Sequence, residues 1–141
     1  MAEISLRISD APDAASEGVV EEGLAQFNEQ HAGYRDARPL AILALRGEDE
    51  EVVGGLIGRT SMGLFFIDLV YLPPDARGDG LGSRMLVMAE DEARSRKCSA
   101  AVLYTITFQA PDFYEQLGYR ELGRIECAPP GATRICMTKK L

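Results

Sequence analysis

An apolar run from Leu64 to Leu72 halts on Pro73-Pro74, and the chain then passes through Gly78-Asp79-Gly80-Leu81-Gly82 into a helix-patterned segment. Proline has no N–H to give a sheet ladder, so the strand must end there. The segment from about Gly80 to Lys97 places Leu81, Met85, Leu86, Ala89 and Ala93 on one helical face, the stripe of a helix packed on a core. Strand, glycine loop and amphipathic helix in direct succession predict a sheet with helices on it. Alternating glycines let the backbone turn tightly and bring N–H groups close to a ligand. The first N–H groups of a helix lack intrahelical partners, and the helix dipole adds partial positive charge. The loop therefore suits a phosphate or pyrophosphate.

Two phosphate patterns do not apply. The dinucleotide pattern G-x-G-x-x-G needs a third glycine where this chain has Ser83, and the Walker G-K-[ST] ending is absent. What is present is Arg77-x-x-Gly80-x-Gly82 after an apolar strand. Taken alone, the glycines also allow a plain strand-to-helix turn.

The rest of the chain supplies a mixed sheet. Ile4 to Ile8 alternates apolar and polar residues and reads as a first strand. A helix follows from Asp13, a candidate N-cap, with Val20, Leu24, Phe27 and His31 along one face. Leu40–Leu45, Val52–Arg59 and Leu64–Leu72 form an antiparallel meander, with a polar turn at residues 47–50. Ala100–Thr107 is rich in β-branched and aromatic residues, Pro111–Leu117 is a short helix ending at Gly118, and Tyr119–Ile125 and Arg134–Lys140 close the sheet. The predicted order is β-α-β-β-β-α-β-α-β-β, an α/β (α+β) fold with a mixed, mostly antiparallel sheet, in one domain over residues 1–141.

Composition narrows the function. The 141 residues hold 15 basic and 22 acidic side chains, a net charge of -7. Such a surface repels a phosphate backbone, which argues against nucleic acid. It would draw in cationic amines, although acidity also serves plain solubility. Cys98, Cys127 and Cys136 form no close pair, predicting neither disulfide nor metal site. The lone His31 has no partner nearby in sequence for a catalytic relay, and a structural place at a helix end is the expected one. No apolar run approaches a membrane span and no signal-peptide layout is present, so a cytoplasmic protein without membrane contact is expected.

A second stretch joins the glycine loop. Gln109-Ala110-Pro111-Asp112-Phe113-Tyr114-Glu115-Gln116-Leu117-Gly118-Tyr119 resembles the A-x-x-x-Y-x-x-x-G-[FY] segment of the GNAT N-acetyltransferases, and Arg77-x-x-Gly80-x-Gly82 resembles their R/Q-x-x-G-x-G/A loop. The likeness covers Val52 to the C-terminus, with both motifs in family order, and is nearest the short bacterial branch. It implies a GNAT fold and transfer of an acetyl group from acetyl-coenzyme A, as cosubstrate, to an amine on a small molecule or peptide.

The resemblance also implies roles. Backbone at Val70, Tyr71 and Leu72 would hold pantetheine and acetyl group, from a bulged strand. Arg77, Gly78, Asp79, Gly80, Leu81, Gly82 and Ser83 would grip the pyrophosphate. Where many members have asparagine seven residues before the tyrosine, this chain has Thr107; Gln109 nearby offers a carboxamide instead. Tyr114 is the candidate general acid for the departing sulfur, or else a core aromatic. Asp68, an acid in an apolar run, is the candidate general base. Alternation puts it with Phe66 and Val70 on one face, and a buried acid would have a raised pKa. A hydrogen-bonded structural acid, with water as the base, is the alternative. The acceptor is expected to meet the first helix, the loop at residues 33–39 and the closing strands. Exposed strand edges allow a homodimer. An acyl-coenzyme A-binding sensor without turnover is the second functional class.

Overall fold

The computed structural model describes Ala2 to Leu141, and the chain divides into two compact units, one ending at Arg35 and one spanning Asp36–Leu141. The first unit holds helix α1, Ala14–Ala32. Asp13 caps it by accepting from the Ser16 N–H at 2.7 Å, and Gly33 ends it in the left-handed conformation. His31 Nδ1 lies 2.9 Å from the Phe27 carbonyl, so that nitrogen donates, and its ring stacks on Phe27 at 4.3 Å. The histidine serves its own helix.

The strand expected at Ile4–Ile8 does not form; residues 2–9 have no regular structure. Alternation supplies a face, but a strand exists only through ladder bonds, and among the described residues this unit holds no second strand to pair with.

The second unit is a six-stranded sheet in the order β1-β2-β3-β4-β6-β5. Its strands are β1 (Arg38–Arg46), β2 (Glu51–Ser61), β3 (Leu64–Tyr71), β4 (Ala100–Ile106), β5 (Arg120–Glu126) and β6 (Thr133–Lys140). Only β3 and β4 run parallel, because the helix α2 (Leu81–Ser95) connects them across one face; every other pair is antiparallel. A short helix α3, Pro111–Gln116, joins β4 to β5. No described helix is long and apolar enough to cross a membrane.

The core lies between the sheet and α2. Phe65, Leu56, Leu86 and Met137 are its largest fully buried side chains, each contributing roughly 1.5–3 kcal/mol by leaving water. Met85, Leu86, Ala89 and Ala93 of the expected helical stripe are buried, while Leu81 is only half covered.

One irregularity shapes everything downstream. Ile57 pairs with Leu69 and Gly58 with Ile67, which leaves Asp68 as an extra residue in β3. A β-bulge of this kind shifts the alternation by one. Phe65 and Ile67 face α2, and past the bulge Val70 takes that face, opposite the buried Leu56. Asp68 and Val70 therefore do not share a face, contrary to simple alternation. A Cβ on Gly58 would meet the Phe66 carbonyl oxygen, so the bulge requires a glycine across from it.

Candidate active site

The parallel ladder between β3 and β4 pairs Leu64–Ile67 with Ala100–Leu103 and ends there. Beyond the bulge β3 continues paired to β2 alone, and β4 continues paired to β6 alone. The two strands splay, and the wedge between them is a cavity of about 950 Å³. The bulge opens the sheet at its middle.

Four groups of side chains and backbone wall the cavity. Asp68, Val70, Tyr71 and Leu72 line the β3 side, and Tyr104, Phe108, Gln109 and Arg134 the β4 and β6 side. Arg77, Gly78, Gly80, Gly82 and Ser83 form the loop end, and Phe113 and Tyr114 come from α3. The cavity thus gathers most of the residues expected from the two motifs. Asp79, Leu81 and Thr107 lie off its wall. Leu81 instead lines a smaller apolar cavity with Ile42 and Met88, and the Thr107 hydroxyl accepts from the Thr133 N–H at 3.1 Å, extending the β4–β6 pairing.

At the loop end, no side chain caps α2. Its first helical bond runs from the Arg84 N–H to the Gly80 carbonyl, so the N–H groups of Leu81, Gly82 and Ser83 have no intrahelical acceptor. The contrast with α1, capped by Asp13, is informative: here the donors are left for something else. Gly80 has φ +78 and a Cβ there would meet no atom within 4 Å, whereas a Cβ on Gly82 would come 3.1 Å from the Phe113 ring. The glycines therefore differ in purpose. Gly80 permits the turn, and Gly82 permits α3 to approach α2. Arg77 donates from Nε to the Leu72 carbonyl at 2.8 Å, tying the loop to the end of β3.

Tyr114 is 9% exposed, and its hydroxyl makes no hydrogen bond among the described residues. Burial pushes its pKa above the ordinary value of 10. A protonated, unpartnered hydroxyl on a cavity wall can give a proton to a bound group. The ring is held edge-on by Phe113 at 5.1 Å and Tyr119 at 5.9 Å.

Asp68 is not the buried acid that the apolar run suggested. It follows the buried Ile67 and so lies, with Phe66, on the sheet face away from α2, where both oxygens accept from Arg59 Nη1 at 2.7 and 2.8 Å. Gln109 lines the cavity with its carboxamide half engaged. Its Oε1 accepts from the Ile106 N–H at 3.0 Å and from the Thr105 hydroxyl at 3.1 Å, closing the end of β4 and leaving only its amide nitrogen for a ligand.

Tyr104, Phe108 and Arg134 escaped the sequence reading. Their signal was available but faint: Tyr104 alternates with the buried Leu103 and Thr105, and so faces away from the core.

The comparisons with known proteins agree with this geometry. The chain is 36% identical over 133 residues to Acetyltransferase Atu2258 of Agrobacterium fabrum, covering 94% of this chain and 96% of that one. It is 40% identical over 109 residues to Blasticidin-S acetyltransferase of Streptomyces morookaense, covering 75% and 80%. A crystal structure from Agrobacterium tumefaciens superposes with a TM-score of 0.88 at 32% identity, covering 98% of this chain and 100% of that one. The profile of the Acetyltransferase (GNAT) family matches residues 6–119. With a splayed parallel strand pair, an uncapped glycine-led helix and a buried tyrosine at the wedge, the chain belongs to the GNAT acetyltransferase family and is an acyltransferase enzyme.

Proposed function

We propose that the enzyme moves an acetyl group from acetyl-coenzyme A directly to a primary amine of a small molecule. The observation that carries this is the continuity of one cavity from the uncapped start of α2 to the free hydroxyl of Tyr114. One end suits a pyrophosphate and the other holds a proton donor, which is what a long phosphate-tailed thioester requires. Past Ile67 the β4-side edge of β3 has no strand partner, so its backbone groups can pair with the amides of an extended pantetheine arm. The relative from Streptomyces morookaense, by its name, acetylates blasticidin-S, which favours a small-molecule acceptor over a protein N-terminus.

The chemistry follows from the positions. The neutral amine attacks the thioester carbon, a C–N bond forms, and the carbonyl oxygen takes up negative charge. Backbone N–H groups on the unpaired edge of β3 are placed to stabilise that oxyanion. As the C–S bond breaks, Tyr114 gives its proton to sulfur; the ammonium of the tetrahedral intermediate loses a proton to water, and water returns one to the tyrosinate, so the amide and the free thiol leave with Tyr114 protonated again. Asp68 remains a candidate for that last step by position, although its carboxylate is engaged with Arg59.

Titration calorimetry with acetyl-coenzyme A, followed by a thiol-release assay across small-molecule amines, tests the reading. Micromolar binding with amine-dependent thiol release supports it. Absence of acetyl-coenzyme A binding to the intact protein overturns it.

A further inference from the structure

The charge inside the cavity runs against the charge of the whole chain. Three formally charged side chains reach its wall: Asp68, Arg77 and Arg134. Asp68 is neutralised by Arg59, which approaches within 2.7 Å and also lies over the Phe66 ring. Arg77 belongs to the loop end, bound to the Leu72 carbonyl. The side chain of Arg134 makes no hydrogen bond and no ion pair among the described residues. Its guanidinium offers five donors, and none is used. The net charge of -7 suggested a cleft that draws cations; the wall itself is cationic.

The placement of Arg134 separates it from the phosphate end. In the β4–β6 ladder Arg134 pairs with Ile106 and Cys136 with Tyr104, so Arg134 and Tyr104 are diagonal neighbours on one face. That face is the one turned away from α2, because the intervening Leu103, Ile135 and Met137 are buried under the helix side. The glycine loop opens at the start of α2, on the other side of the sheet. The thioester that passes through the wedge would thus meet the loop on one face and Arg134 on the opposite face, where an acceptor can enter. Tyr104 and Phe108 also line the cavity and are 63% and 65% exposed. Two uncovered aromatic rings beside an unpaired guanidinium make a site for an apolar or planar group bearing an anion. The fork geometry of arginine matches a carboxylate in particular.

We propose that Arg134 is the acceptor-recognition residue, binding a carboxylate on the amine substrate while Tyr104 and Phe108 pack its apolar part. This rests on the acetyltransfer reading of the same cavity. It restricts the acceptors to amines that also carry a carboxylate, and it assigns the recognition to one side chain outside both motifs.

The test uses two probes that differ in charge and little else, phenylacetate and phenylacetamide, titrated into the full chain with saturating coenzyme A. The wild type should bind phenylacetate roughly tenfold to hundredfold more tightly, the worth of a charged hydrogen-bond pair. The Arg134 Nε–Hε resonance should shift with phenylacetate alone. Arg134→Gln should erase the preference and leave coenzyme A affinity and melting temperature unchanged, and Arg134→Lys should restore part of it. No preference in the wild type, or a preference that survives in Arg134→Gln, overturns the proposal. A fall in coenzyme A affinity in Arg134→Gln also overturns it, because Arg134 would then serve the phosphates. If the wild type fails to bind coenzyme A at all, the acetyltransfer reading itself fails; if it binds but ignores the carboxylate, only the assignment of Arg134 does.

Discussion

The Tyr119 hydroxyl donates to Glu90 Oε2 at 2.7 Å in the interior, and Lys139 Nζ approaches the other oxygen, Oε1, at 2.8 Å. Glu90 comes from the middle of α2, Tyr119 follows α3, and Lys139 is in β6, so one carboxylate joins the loop helix to the segment that carries Tyr114. Glu90 is 2% exposed. Glu90→Ala would leave a hydroxyl and an ammonium without their acceptor, and should cost about 3 kcal/mol, the lower end of the range for broken buried pairs because Lys139 keeps some water contact. Urea unfolding measures this. A loss under about 1 kcal/mol would show that the pair does not stabilise the fold.

Alkali should destabilise the protein through its buried phenols. Burial raises the pKa of Tyr114, and burial together with the bond to Glu90 and its charge raises that of Tyr119 much further, from an ordinary value of 10. Above that value the unfolded chain releases these protons while the folded chain keeps them, so the unfolded state binds fewer and stability falls as pH rises. The stability is fully present below pH 10. Each group contributes up to about 1.4 kcal/mol per pH unit above it. Urea midpoints at successive pH values should be flat to about 10 and then drop, and Tyr119→Phe should shrink the drop.

The two candidate catalytic side chains should separate under mutation. Tyr114→Phe keeps the ring between Phe113 and Tyr119 and removes only the proton. Turnover should fall about 10²–10⁴-fold with acetyl-coenzyme A affinity and melting temperature nearly unchanged. A fall of less than about threefold, with chemistry rate-limiting, would reduce Tyr114 to packing. Asp68→Asn breaks an exposed pair with Arg59 and should change stability by less than about 1 kcal/mol. If it also leaves the pH–rate profile unmoved, water is the base.

The loop glycines should respond differently. Asparagine tolerates the left-handed conformation of Gly80 and projects into space that no protein atom occupies. Gly80→Asn should therefore weaken acetyl-coenzyme A by about tenfold or more, read by calorimetry, with a melting temperature within a few degrees of wild type. Unchanged affinity would remove the loop from the binding site. Gly82→Ala presses on the Phe113 ring at 3.1 Å and should lower stability first, since α3 must shift to admit it.

Much of this protein was legible in its sequence because the signals were local. The capping of α1 by Asp13, the stop at Pro73, the buried stripe of α2 and the Gly118 end of α3 each depend on residues a few positions apart. The segments from Leu40 onward were placed to within about two residues for the same reason. The two motifs located the cavity wall at Gly80 and Tyr114. Ile4–Ile8 shows the limit, since its alternation is local but a strand needs a partner. What only the tertiary structure decided was long-range pairing and its interruption. The bulge at Asp68 is defined by β2 across from it; it carries Val70 to the face opposite Asp68, and the β3–β4 ladder ends just before it. Arg134 reaches the cavity because β6 inserts between β4 and β5, a neighbour relation separated by many residues of chain. Periodicity reports which side a residue faces along its own strand; the identity of what it faces is fixed by the register with strands far away in sequence.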